Sequence, residues 1–254
     1  MKYFNRTRIL PGVVAAVSLA QMVETAQAQT LEEVVVTASK RGAQNLLEVP
    51  SSVQAFTGEK LDRIGANDFN DFFRLVPSLA VFDQGPGDNR IIIRGVNSTG
   101  GGTVGLYLDE VIITGENAQD GGGRQPDIKL FDLERVEVLK GPQGTTFGSN
   151  ALSGAIRYIT NKPNLDAPEL RVSGSLSDLD GADLSGRFDA AASVPIVPGK
   201  FAVRGAIYYL DQDGFIDNRF EDGVNSEETV AGRVSALYTP NERFDLSLMA
   251  MRQD

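Results

Sequence analysis

The sequence predicts an α+β domain followed by a run of antiparallel β-strands, all behind an export leader. Three observations predict it. Phenylalanines at helical spacing precede Pro77 amid short β-branched runs. Strict two-residue alternation begins at Glu169, and residues 1–28 carry the marks of a secretory signal.

In the leader, Lys2, Arg6 and Arg8 make a positive start, Ile9 to Ala20 is largely apolar, and Ala26-Gln27-Ala28 closes on a small-x-small cleavage pattern. A membrane-spanning helix needs about 20 apolar residues, and this shorter run contains Pro11 and Gly12. Residues 29–48 form a tail whose Leu31 to Ala38 segment holds three consecutive valines beside two acids. β-Branched residues in a row favour extended backbone. On chemistry alone two readings stay open: the first strand of the next domain, or a strand offered to another protein's sheet.

Residues 49–163 read as the α+β domain. Thr57 can cap a helix running to Ala66, and a second helix, roughly Asp68 to Val76, puts Phe69, Phe72, Phe73 and Val76 on one core-facing stripe before Pro77 stops it. Ile91 to Ile93, Leu106 to Ile113, Val136 to Leu139 and Ala155 to Thr160 are strand candidates. Polar, glycine-rich loops separate them at Asp83–Asn89, Asn97–Thr103 and Gly115–Gln125.

Residues 164–254 alternate. Leu170, Val172 and Leu176 oppose Arg171, Ser173 and Ser175, while Val203, Gly205, Ile207 and Tyr209 oppose Arg204, Ala206 and Tyr208. Val234, Ala236 and Tyr238 do the same against Arg233 and Ser235. Short turns at Val197–Lys200 and Pro240–Arg243 contrast with a long polar loop at Asp211–Glu228, the pattern of an outer-membrane barrel. A soluble sandwich also alternates, so both architectures stay open on this pattern. At about 9–11 residues per crossing, the segment holds about five strands, too few to close.

Composition narrows the function. Cys and His are absent from the 254 residues, which removes thiol nucleophiles, Ser-His-Asp triads and Cys or His metal sites. A net charge of −10 argues against nucleic acid as partner. The glycine-rich Gly141 to Gly148 lacks the Lys-Ser/Thr ending of a phosphate loop, Asp211, Asp213 and Asp217 lack calcium-loop spacing, and Glu134 with Glu137 suits salt bridging better than glycoside chemistry. No catalytic constellation emerges, and neither a cofactor nor a metal is expected.

One stretch carries a resemblance. Asp132-Leu133-Glu134-Arg135-Val136-Glu137-Val138-Leu139-Lys140-Gly141-Pro142-Gln143-Gly144, continued by Gly148-Ser149-Asn150-Ala151, Gly154-Ala155-Ile156 and Ile159-Thr160-Asn161-Lys162-Pro163, closely resembles the end of the plug domain of TonB-dependent outer-membrane receptors. Ile93-Arg94-Gly95 and Tyr107-Leu108-Asp109-Glu110-Val111 resemble two further plug motifs, and Glu33-Val34-Val35-Val36-Thr37-Ala38 resembles the TonB box. Thr146, Ser149 and Ser153 depart mildly from that pattern.

The resemblance implies an α+β plug followed by the first strands of an antiparallel transmembrane β-barrel, which in the family has 22 strands around a plugged lumen. It implies energised uptake of a large scarce solute, a ferric siderophore first, with vitamin B12, a carbohydrate or another chelate as alternatives. Its partners would be TonB with the inner-membrane ExbB–ExbD complex, outer-membrane lipid and a small ligand, a metal chelate by preference. The box residues Glu32, Glu33, Val34, Val35, Val36, Thr37 and Ala38 would meet TonB by β-augmentation. Ligand would meet the plug loops through Asp83, Gln84, Asp88, Asn89, Arg90, Asn97, Ser98, Thr99, Asn117, Gln119, Asp120, Arg124 and Gln125. Arg94, Glu134, Arg135 and Glu137 would form a structural lock between plug and barrel wall. Because five strands cannot close, the chain is expected to be the N-terminal part of a longer receptor; a periplasmic binding module or a remnant is the alternative if it ends at Asp254.

Overall fold

Thr57 ends one element and starts another. Strand β3, Ser52–Thr57, stops where the Thr57 hydroxyl accepts from Lys60 N at 3.3 Å and caps helix α1, Gly58–Arg63. The computed structural model describes residues 35–37, 44–45, 52–83, 89–98, 102–113, 125–178, 183–220, 223–241 and 243–254. The expected leader at 1–28 lies outside them. So do Glu32, Glu33, Val34, Ala38, Gln84, Asp88, Thr99, Asn117, Gln119, Asp120 and Arg124.

Asp68 caps α2, Phe69–Phe72, in a reciprocal box with Asp71. The helix then tightens into a 3₁₀ turn over Phe73–Leu75 instead of running on to Val76. The cause is Pro77, which forces the preceding Val76 into an extended conformation. Phe69, Phe72 and Val76 are buried with Phe73 packed against them, so the stripe is core.

Three described strands escaped the periodicity reading: β2, Gln44–Asn45, β3, and β4, Leu79–Asp83, which pairs with β5, Asn89–Ile93. The expected single strand over Leu106 to Ile113 is a hairpin, β6 Val104–Leu108 and β7 Val111–Ile112. Asp109, at φ 51°, turns the chain there, a left-handed conformation that Asp tolerates. With β8, Leu133–Lys140, and β9, Gly154–Thr160, these strands form a sheet in the order β3-β8-β9-β6-β7, in which β6 and β9 are parallel. Between β8 and β9 lies the short helix α3, Gly144–Phe147. Val136, Val138, Leu106, Ile156 and Tyr158 face the helices, and Leu139, Tyr107 and Ala155 cover the other face with Phe147. On that second face, Val36 of β1, Val35–Val36, is buried, and β1 pairs antiparallel with β2, Gln44–Asn45.

The remaining strands make an antiparallel meander, β10 Glu169–Ser177, β11 Ser185–Val197, β12 Phe201–Gln212, β13 Glu227–Asn241 and β14 Phe244–Gln253. Its polarity separates the two architectures left open above. The face toward the α+β domain buries Asp189, Ser193, Arg204, Thr229, Arg233 and Ser235. The opposite face exposes Leu170, Val172, Val194, Ile207, Val230, Val234 and Leu248. A soluble sandwich hides its apolar face; this sheet shows it. That inversion suits lipid outside and a polar lumen inside. Among the described residues the sheet is open, and no helix is long and apolar enough to cross a membrane, which says nothing against strands.

Candidate functional site

A buried ionic network on the second face of the domain sheet holds Thr37 of the expected TonB box. Period two puts Arg135 and Glu137 on the same face of β8, and the β8–β9 register sets Glu137 opposite Arg157. Glu137 is fully buried and accepts from Arg135 Nε at 2.8 Å and from Arg157 Nη1 at 2.7 Å. Thr37 joins them. Its backbone N donates to Glu137 Oε1 at 3.0 Å, and its hydroxyl accepts from Arg135 at 3.1 Å and from Arg157 at 3.0 Å. The edges are exposed: Glu134 pairs with Arg135, and Glu110 pairs with Arg157 at 2.6 Å. The guanidinium of Arg157 also lies 5.4 Å from the Phe147 ring, and Tyr107 donates to Phe147 O at 2.6 Å beneath it. Beside Thr37 opens a cleft of about 430 Å³, bounded by Glu134, Arg135 and Arg157 on the domain and by Ser235, Ser247 and Met249 on the strands.

Of the expected lock, then, Arg135, Glu137 and Glu134 pair with one another, and among the described residues Arg135 and Glu137 bond Thr37 of the tail, not a side chain of the strand wall. Arg94 sits apart from them on an exposed turn at φ 55°, its guanidinium near Gly141. Burial and the Arg94 charge together push the Lys140 ammonium down. Arg157 was missed, although a lone Arg inside Ala155-Ile156-Arg157-Tyr158-Ile159 signals a buried countercharge.

Other side chains reach the wall. Asp132, at φ 50° just before β8, takes Arg204 in two bonds of 2.6 and 2.9 Å and Arg233 at 2.9 Å, while Arg233 also donates to Asp132 O. Burial alone would raise the Asp132 carboxyl, but bonds from Arg204 and Asn161 and the Arg233 charge hold it below the usual carboxylate range. Arg187 of β11 donates to Ala66 O, Asn67 Oδ1 and Leu130 O.

The expected ligand loops are described only at their bases. Asn89 and Gln125 are buried and bridge each other through both backbone amides, and the Gln125 side chain donates to Val104 O. These two contacts hold loop ends together. Arg90 is half-buried and donates to Ser98 O, Asn97 is exposed, and Asp83 pairs with Asn89 through its backbone.

Comparison with known proteins follows the same lines. Residues 45–155 match the family model of the TonB-dependent receptor plug domain. The vitamin B12 transporter BtuB of Vibrio vulnificus is 35% identical over 53% of this chain and 21% of its own. The pesticin receptor of Yersinia pestis is 26% identical over 97% of this chain and 36% of its own. Among solved structures, the ferric yersiniabactin uptake receptor FyuA of Yersinia pestis superposes with a TM-score of 0.63 at 24% identity, over 80% of this chain and 31% of that one. The pyoverdine receptor FpvA of Pseudomonas aeruginosa gives 0.67 at 22% identity, over 86% and 30%. The chain thus spans about a third or less of these relatives' length.

Proposed function

Since the chain belongs to the TonB-dependent receptor family and carries the plug and part of the barrel of an outer-membrane protein, we propose that it serves energised uptake of a ferric siderophore. The observation that carries this reading is the docked segment Val35–Thr37, which we take as part of the box. Val35 and Val36 are held by a two-residue pairing with β2 and by the Thr37 bonds, a small hold that a competing strand can replace. Tension applied there would bear on Glu137 and Arg157, hence on β8 and β9 at the centre of the plug sheet. TonB, energised through ExbB–ExbD, is the partner that would pull by pairing with the box backbone.

In such a receptor residues 1–28 serve as the leader, a tail carries the box near 32–38, residues 49–163 form the plug and barrel strands run from 164. Cargo contact falls to the plug loops through Arg90, Asn97, Ser98 and the loop residues beyond the described ones. No step requires catalysis. The pyoverdine and yersiniabactin receptors among the structural neighbours support an iron chelate. The match to a vitamin B12 transporter favours a second reading, cobalamin.

Val35→Pro in the intact receptor tests the mechanism, because proline removes one ladder donor and fixes φ. Uptake of the cognate chelate should stop while binding at the cell surface persists. Normal import by the proline variant would refute the box assignment. Growth of a deletion strain under iron limitation, and separately on limiting cobalamin, decides the cargo.

A further inference from the structure

A second polar cluster, on the opposite side of the plug from the box, joins plug to wall around one lysine. Lys129 Nζ lies 2.9 Å from Asp127, 3.3 Å from Asp68 and 2.6 Å from Glu227 of β13. Gln253 of β14 clamps the same segment, donating to Asp127 O at 2.7 Å and accepting from Lys129 N at 3.2 Å. Three carboxylates thus share one ammonium. Two polar atoms nearby, Asp127 Oδ1 and Tyr208 Oη of β12, are buried without a hydrogen-bond partner among the described residues. An ionised carboxylate with an orphan oxygen is costly in such surroundings.

We infer that this cluster is a plug–wall latch that closes in acid and loosens toward neutral pH. The groups facing it within the described residues are Asp68 and Asp71 at the start of α2, Asp127 and Lys129, Tyr158 of β9, Arg187 and Tyr208 on the wall, and Glu227 and Asp254. Asp254 is drawn off by Arg252 at 2.7 Å. Carboxylates outnumber cations here, so one added proton on Asp68 relieves repulsion while Asp127 and Glu227 still hold Lys129. Burial first, then the Asp127 charge, pushes the Asp68 carboxyl up to about 6 against the pull of Lys129. Burial likewise raises Asp127. Lys129 is raised as well, against the downward pull of its burial, because Asp127 and Glu227 hold it charged.

The sign follows from linkage. A carboxyl that is harder to ionise in the closed state takes up a proton on closing, so closing is favoured below pH ~4 and the gain is lost as pH rises through about 6. For Asp68 moving from 3.8 to about 6, the closed-to-open ratio falls roughly tenfold between pH ~5 and pH ~7.5.

Hydrogen exchange of residues 125–131 in the intact receptor, corrected for the intrinsic pH dependence of exchange, tests it. Wild type should be roughly tenfold better protected at the acid pH than at the neutral one. Asp68→Asn keeps an equally good helix cap and should lose most of that pH dependence, only the smaller part carried by Asp127 remaining. Lys129→Met should lose protection at both pH values. A flat wild-type profile, or a pH dependence undiminished in Asp68→Asn, overturns the latch; the Asp68→Asn arm decides the matter alone if Lys129→Met does not fold.

Discussion

Removing the Glu137 carboxylate should separate a buried lock from ordinary surface pairing. The side chain is fully buried and serves three donors, Arg135 Nε, Arg157 Nη1 and Thr37 N. Glu137→Ala leaves two buried guanidinium groups short of countercharge, a loss on the order of 3–5 kcal/mol when one partner of a buried pair goes. Arg135 keeps Glu134 and Arg157 keeps Glu110, so about 3 kcal/mol is expected here. Glu134→Ala cuts an ion pair to the same Arg135, but Glu134 is 47% exposed and its loss should cost less than ~1 kcal/mol. The gap of about 2 kcal/mol corresponds to a roughly thirtyfold difference in opening. Hydrogen exchange across β8 and β9 in the intact receptor reads it, and proteolysis of the tail should rise in Glu137→Ala because Thr37 loses its anchor. Equal exchange in the two variants would refute the reasoning, because the network would then be solvated in fact.

Three further outcomes are expected. Asp132→Asn should weaken the plug–wall contact by about 3 kcal/mol; since the Asp132 carboxyl is held low, its stabilisation is present above pH ~4 and lost as pH falls further, so the variant should also flatten the acid limb of a pH–unfolding curve. Gly154→Ala would place a Cβ 2.5 Å from Leu139 O and 2.6 Å from Ile93 Cδ1, costing about 1–3 kcal/mol in thermal unfolding, whereas Gly144→Ala meets open space in α3 and should be neutral or stabilising. Tyr107→Phe should cost about 1 kcal/mol in the same assay by leaving Phe147 O without its 2.6 Å donor.

Local chemistry was legible wherever a rule acts over a few residues. Thr57 caps its helix where its hydroxyl demanded, the second helix starts at Asp68, and the phenylalanine stripe is core. The hairpin at Asp109 was not legible, because Leu106 to Ile113 is apolar on both sides of a turn that only the Asp109 backbone reveals. Strand β3 hid because Ser52, Gln54 and Thr57 dilute its apolar face at a sheet edge, where one side of the ladder makes no demand. Arg157 could have been singled out from sequence, since it is the lone charge in a buried strand. Thr37 could not: it meets Glu137 and Arg157 across 100 residues or more.

The plug–wall contacts lie beyond sequence reasoning for the same reason, and they explain a physical requirement of the fold. Alternation shows which side of β12 and β13 carries Arg204 and Arg233, but not that both converge on Asp132, 72 and 101 residues away. What the partners share is polarity. Arg187, Arg204, Arg233, Glu227 and Gln253 meet carbonyls, carboxylates and one lysine, while apolar contact with the wall is confined to a few residues such as Phe131, Tyr208 and Met251. An apolar seam of this size would resist separation in proportion to its area, because each square ångström returned to water is paid in full. A hydrogen-bonded seam can exchange its partners for water at a small net cost per bond. A plug seated this way is specific in position yet separable, one set of bonds at a time, by force applied at its edge. Thr37 lies at such an edge, tied to the central strands of the plug sheet through Glu137 and Arg157.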